Sequence, residues 1–263
     1  MSKRLGDMSN DDIARMIEED LYQYCIDLAE SAKRTVHIEE DVSWTNIYPT
    51  CWPNYIFKAN FAKDNIEERV LQVIDSIKKN IAPPNWVIGP STGMLDIEYL
   101  ENHGFKRKYT FTCMALDLHC LEEVAPTADR FKMEVVMSKS QLAKWADVVS
   151  AGLFNGGKVE SELFEYFIES GKARLYIGLY DEIPVATSML YFSSSFASIS
   201  MVSTLPEVRR KGLGTSMVIK PLADAKDLGY EIAVLQATRA GEPVYRKIGF
   251  NEYSTLHILN IEI

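Results

Sequence analysis

Long hydrophobic runs are missing from this sequence. No stretch approaches the ~18 apolar residues of a membrane-spanning helix, and the first twelve residues hold no apolar core of the kind a signal peptide carries. No membrane partner is expected. Cysteine is scarce: Cys25, Cys51, Cys113 and Cys120 form no CxxC pair, and a chain of 263 residues does not need disulfide staples. Reduced thiols in a cytoplasm fit best. His37, His103, His119 and His257 show no HExxH or other metal spacing, so no metal is expected. Positive charge is in deficit. Lys and Arg number 28 against 37 Asp and Glu, a net charge of 28 − 37 = −9. That balance suits a cationic or small polar substrate, or simply solubility, and argues against nucleic acid, whose phosphates demand a basic face.

Apolar residues make up 47% of the chain and charged residues 25%, enough for a core under a solvated surface. Ser9-Asn10-Asp11-Asp12 reads as a helix N-cap cluster, and Ile13, Ile17, Leu21, Tyr24 and Leu28 then fall on one helical face, to about Lys33. A strand is expected over 55–61, a helix over 66–77, a short buried strand at Trp86–Ile88, a helix over 95–102 and a long strand over 109–118. The polar stretch Leu121–Arg130 has no periodicity and marks a boundary, giving domains of 1–125 and 126–263. Beyond it a strand (134–137) and helices near 142–149 and 160–168 precede a meander of strands over 174–179, 185–192 and 197–205. Helix 214–228, strand 232–237, helix 243–248 and strand 253–263 follow. An antiparallel run followed by βαβ units is α+β with a mixed sheet.

The two halves echo each other. At an offset of 145, His103-Gly104-Phe105 falls on Ile248-Gly249-Phe250, and the strand ending Leu116-Asp117-Leu118 falls on Ile261-Glu262-Ile263. The polar chemistry does not repeat: Arg209, Gly212 and Gly214 fall on Asp64, Glu67 and Arg69, and Tyr245 falls on Leu100. If the halves share a fold, the first copy is degenerate and lacks a phosphate loop.

The informative stretch is 204–216. A strand feeds the turn Arg209-x-x-Gly212-x-Gly214, and an apolar helix begins at once. Glycines let a ligand approach the backbone, and successive N–H groups at a helix N-terminus form an anion nest. Arg209, Arg210 and Lys211 add positive charge to an acidic chain. Position 217 is Met, which excludes a Rossmann fingerprint, and no Gly-Lys-Ser/Thr follows, which excludes a Walker A loop. By itself this pattern also fits a basic surface turn. About thirty residues on, a strand ends, Pro243 opens a short helix, and Tyr245-x-x-x-Gly249-Phe250 closes it.

The pair of patterns resembles the GCN5-related N-acetyltransferase (GNAT) family, with its R/Q-x-x-G-x-G/A coenzyme loop followed by a Y-x-x-x-G-F helix. The resemblance is specific over residues 199–250 and extends to a tandem arrangement with a degenerate N-terminal copy. It implies acetyl-CoA as co-substrate and an amine acceptor, taken as a small molecule, with a homodimer admissible. The strand before the loop should splay from its neighbour to admit pantetheine, with backbone groups of Val202 and Thr204 as its partners. Backbone N–H groups of Arg210, Lys211, Gly212, Leu213, Gly214 and Thr215, beside Arg209, should hold the pyrophosphate. Tyr245 matches the family's general acid, which protonates the departing thiolate; the alternative is that it only packs on the pantetheine. No covalent enzyme intermediate is implied, and Cys113 and Cys120 read as core thiols. The general base is not legible: Glu160, Glu162 and Glu165 lie where substrate-facing helices occur in the family, but such carboxylates are usually a solvated face. Pro221, inside the helix after the loop, departs from the family and is expected to kink it.

The function implied is an N-acetyltransferase working by direct attack of the amine on acetyl-CoA. A non-catalytic acyl-CoA-binding sensor or scaffold is the alternative, and a longer acyl group a further variant. The N-terminal copy is expected to bind no coenzyme and to shape the acceptor site.

Overall fold

The computed structural model describes residues 4–47, 52–122 and 130–262. Cys51, most of the expected boundary at 121–130, and Ile263 lie outside them. In chain order the elements are α1 (Asn10–Ser31), β1 (Thr35–Ile38), β2 (Ser43–Asn46), β3 (Ile56–Phe57), α2 (Ile66–Lys78), β4 (Asn85–Ile88), α3 (Ile97–Asn102), β5 (Lys106–Asp117) and β6 (Phe131–Val135). Then come α4 (Lys139–Leu153), α5 (Glu162–Glu169), β7 (Ala173–Tyr180), β8 (Ile183–Phe192), β9 (Ala197–Thr204), α6 (Leu213–Asp227), β10 (Ile232–Ala237), α7 (Glu242–Ile248) and β11 (Asn251–Asn260).

The chain folds as two compact units that do not follow the sequence halves. One holds Asn10–Cys113 together with Tyr253–Ile263; the other holds Met1–Ser9 and Met114–Glu252. The reason is an exchange of closing strands. β11, at the end of the chain, pairs antiparallel with β4, His257 opposite Ile88 and Leu259 opposite Trp86. The end of β5, from the first half, lies beside β10 in the other unit, where the Leu118 N–H donates to Glu231 O at 2.9 Å.

In the unit begun by α1, the strand order is β1-β2-β3-β4-β11. Trp44, Ile56 and Trp86 stand side by side in the register and head a core with Val70, Ile74 and Ile77 of α2, Leu100 of α3 and Phe105. The strand expected over 55–61 is only β3: Lys58 takes a left-handed φ of 56°, which ends it. β1 and β2 were not legible as strands.

In the other unit the order is β10-β9-β8-β7-β6. β6 to β9 form an antiparallel meander, and β9 pairs in parallel with β10. α6 covers one face, with Leu213, Met217, Val218 and Leu222 on Ala186, Leu190, Ala197 and Ile199. α4 and α5 supply Trp145, Phe164 and Phe167 for the other, Phe167 meeting Tyr191 edge-on. α6 runs through Pro221 without interruption. A turn beyond it, Asp224 is held by Arg174 (3.1 Å), the Tyr176 hydroxyl (2.6 Å) and Lys220.

A split strand pair, a free amide run and a buried tyrosine

Three features meet at the end of β9. The first is a β-bulge. Thr187 lies opposite Ser203 and Met189 opposite Ser200, so Met201 and Val202 share Ser188 as partner. Met201 sits at φ 51°, a left-handed conformation that costs a non-glycine residue about 1–3 kcal/mol and is typical of functional sites. The Thr187 hydroxyl donates to Met201 O at 2.9 Å and holds the bulge.

The second is a split. β9 and β10 are in register only at Ala197–Ala233 and Ser198–Val234. Ile199–Thr204 and Leu235–Ala237 continue without pairing to each other. The Leu205 N–H donates to Val185 O, on the β8 side. By alternation, Ser203 also turns its backbone groups to β8, while Val202 and Thr204 turn theirs into the split. The Thr204 carbonyl is not free there, since Arg209 Nε donates to it at 2.9 Å. Arg209 therefore closes the strand end, a role that its charge alone did not suggest.

The third is the loop. From Arg210 through Thr215 no backbone N–H donates to a described residue; Ser216 is the first to bond back, to Gly212 O at 3.2 Å. Arg210 (φ 64°) and Gly212 (φ 80°) are both left-handed, with Gly212 as N-cap of α6. Such alternation turns successive N–H groups toward one point. A Cβ on Gly212 would stand in open space, and one on Gly214 would lie 3.6 Å from Thr204 Oγ1. The backbone at Gly212 is thus open to approach, and a side chain at Gly214 would stand in ordinary contact with Thr204. Lys211 Nζ sits 4.5 Å over the Tyr180 ring, which Arg130 also faces at 5.2 Å. Nothing in the sequence marked Tyr180 as a seat for the loop lysine.

Tyr245 stands on α7, its ring edge-on to Phe250 at 6.0 Å. The residue is half-buried and its hydroxyl makes no hydrogen bond among the described residues. Burial pushes its phenol well above the ordinary value. Glu160 pairs with Lys158 and Glu165 with Lys139, each at 3.0 Å on the surface. They fit the solvated-face reading. Hydroxyls of Ser188, Ser200 and Ser203, around the bulge, are buried without a partner among the described residues. Such atoms mark places for water or a bound group. Cys113 is buried, its thiol pushed up to about 12 by desolvation; Cys120, expected in the core, is exposed on a short turn after β5.

The first unit repeats the scaffold and not the site. β3 and β4 are likewise parallel and in register only at Ile56–Trp86. Side chains of α1 occupy the divergence: Tyr22 stacks on Phe57 at 4.9 Å, and the Glu18 carboxyl lies against Gly89, where a Cβ would overlap it. Glu18 accepts from the Tyr22 hydroxyl and from the Ser91 N–H at 2.9 Å. Glu67, in the first turn of α2, is taken by the Tyr99 hydroxyl and His103. Leu100, in the place of Tyr245, is fully buried.

Residues 177–253, which contain the bulge, the loop and Tyr245, match the family profile described as an acetyltransferase (GNAT) domain. Over that segment the chain is similar to the GNAT family. Its fold is similar to that of a GCN5-related N-acetyltransferase from Kribbella flavida (16% identity, 95% of each chain, TM-score 0.73). It is also similar to a GCN5-related N-acetyltransferase from Sphaerobacter thermophilus (12% identity, 83% of this chain and 75% of that one, TM-score 0.65). A tandem GNAT protein from the clavulanic acid biosynthesis pathway matches at 12% identity over 83% of this chain and 77% of that one, with a TM-score of 0.59. At these identities the likeness is one of fold. No curated protein matches the sequence.

Proposed function

We propose that this protein is an N-acetyltransferase that moves an acetyl group from acetyl-CoA to a small-molecule amine by direct attack. The observation that carries the proposal is the run of free N–H groups from Arg210 through Thr215, at the open end of the split between β9 and β10. These amides, with Gly212 and Gly214 leaving room, hold the pyrophosphate. The Val202 backbone and the Thr204 N–H line the path of the pantetheine. Met201 and Val202, bulged out of the β8 ladder, aim backbone dipoles where the thioester carbonyl stops, and an N–H there stabilises the tetrahedral oxyanion.

Tyr245 serves as general acid. Burial favours the neutral phenol and keeps its proton in place across the working pH range. The hydroxyl can protonate the sulfur as the tetrahedral oxyanion collapses and the C–S bond breaks, the C–N bond having formed in the attack. A free amine, or one that loses its proton to water, is the nucleophile. The N-terminal copy binds no coenzyme. A thermal-shift screen with acyl-CoAs, then CoA release on an amine panel, tests the proposal. Stabilisation by acetyl-CoA with release on at least one amine is expected; stabilisation without release on any amine would leave a binding module.

A further inference from the structure

The catalytic helix is poorly equipped to hold itself in place. α7 has seven residues, too few to persist alone, and none is fully buried. Its half-buried Tyr245 and Ile248 pack on a core that includes Met114, Leu116 and Leu118. Those three belong to the first half of the sequence: Met114 and Leu116 lie at the end of β5 and Leu118 just after it, delivered beside β10 by the strand exchange. Leu116 lies under the helix C-cap. Gly249 is left-handed at φ 115°, and a Cβ there would stand 3.3 Å from Leu116 Cδ1. The chain then leaves α7 through Phe250, itself buried, into β11, whose Leu256, Ile258 and Leu259 are fully buried in the other unit. α7 is thus seated on a strand from the N-terminal half and followed by a strand that completes the N-terminal unit.

We infer that the N-terminal half positions the general acid, with Leu116 as the positioning residue beneath the Tyr245 helix. The first half of the sequence thereby supplies the strand that closes the unit holding α7. The kinetic part of this inference rests on the proposed role of Tyr245; the structural part does not.

The test compares Leu116→Ala with Leu175→Ala in the full chain. Leu175 is equally buried in the same unit, on β7 and away from α7. Backbone hydrogen exchange over 242–250 is followed together with kcat and the Kd of acetyl-CoA. Leu116→Ala is expected to speed exchange in that segment and to lower kcat about tenfold or more, since small misplacement of a catalytic group is costly. Its acetyl-CoA Kd should stay within about twofold, and Leu116→Met should restore both signals. Leu175→Ala should lower Tm without either effect. Equal kcat losses at equal Tm loss, or unchanged exchange over 242–250 in Leu116→Ala, would overturn the inference. If Leu116→Ala fails to fold, Leu116→Val carries the same comparison. If Tyr245→Phe proves kinetically silent, the acid assignment fails while the exchange result still decides whether Leu116 seats α7.

Discussion

Two strand pairs in this chain diverge in the same way and hold different things. Between β9 and β10 the divergence stays open and ends at amides from Arg210 through Thr215 that donate to no described residue. Between β3 and β4 it is filled by Glu18 and Tyr22, and the helix that follows opens with Glu67 and Glu68. The scaffold is common and the difference is local: a few residues at a strand end and a helix start decide whether the split stays open or is filled by the protein's own side chains. The copies also differ in independence, because each unit is closed by a strand from the other half of the sequence.

The comparison breaks most completely if the halves are separated. A fragment beginning at Ala128 lacks β5, so Met114, Leu116 and Leu118 vanish from its core while the buried face of β11 has nothing to pack against. Each large core side chain lost costs about 2–5 kcal/mol, against a total stability of about 5–15 kcal/mol. The fragment should be insoluble or molten by near-ultraviolet circular dichroism. Co-expression with residues 1–122 should recover a folded complex. A soluble, fully active fragment would show the strand exchange to be dispensable.

Tyr245→Phe should lower kcat by about 10²- to 10⁴-fold with little change in acetyl-CoA binding. A steady-state comparison at saturating acetyl-CoA settles it, and a wild-type rate would reduce Tyr245 to packing. Gly212→Asp should weaken CoA binding by about 10²-fold or more, because it puts charge into the open space before the amides and a side chain at a left-handed φ. Calorimetry reads that directly, and unchanged affinity would remove the loop from the site.

The two units should respond oppositely to pH. Glu18 is raised by burial above its ordinary value, despite hydrogen bonds from Tyr22 and Ser91. It contributes stability that is complete below its unfolded pKa and is lost as pH rises through the folded one. For Asp224 burial also pushes upward, but Lys220, Tyr176 and Arg174 together hold the carboxyl below its ordinary value. Its contribution is present above the unfolded pKa and is lost as pH falls through the folded one. Glu18→Gln should therefore remove a fall in Tm as pH rises above the ordinary carboxylate value, and Asp224→Asn a fall in Tm as pH drops below it. The smallest effect is expected at Arg210, where Gly in the same left-handed conformation relieves about 1 kcal/mol of strain. Arg210→Gly should raise Tm slightly while CoA still binds through backbone; a large loss of affinity would assign the binding to the side chain.

Much of the second half of the sequence was legible. The 3.6-residue and alternating patterns located its elements, and the Arg209–Gly214 loop and the Tyr245 helix fell where the patterns put them. The bulge was not, because Met201 carries no glycine or proline signal. Strands β1 and β2 are four residues each and rich in polar and aromatic residues, too short for alternation to show. The exchange of closing strands was hidden for a better reason. β5 and β11 occupy equivalent places in the repeat, so pattern alone allows each to close either half, and proximity in sequence favoured the pairing that does not occur.

The most direct measurement is a calorimetric titration of CoA into the full chain, repeated with Gly212→Asp. One CoA per chain is expected, with binding lost in the variant. Two per chain would mean that the divergence filled by Glu18 and Tyr22 also takes coenzyme. No binding, or binding that Gly212→Asp leaves intact, would contradict the assignment of the amides from Arg210 through Thr215 as the coenzyme site.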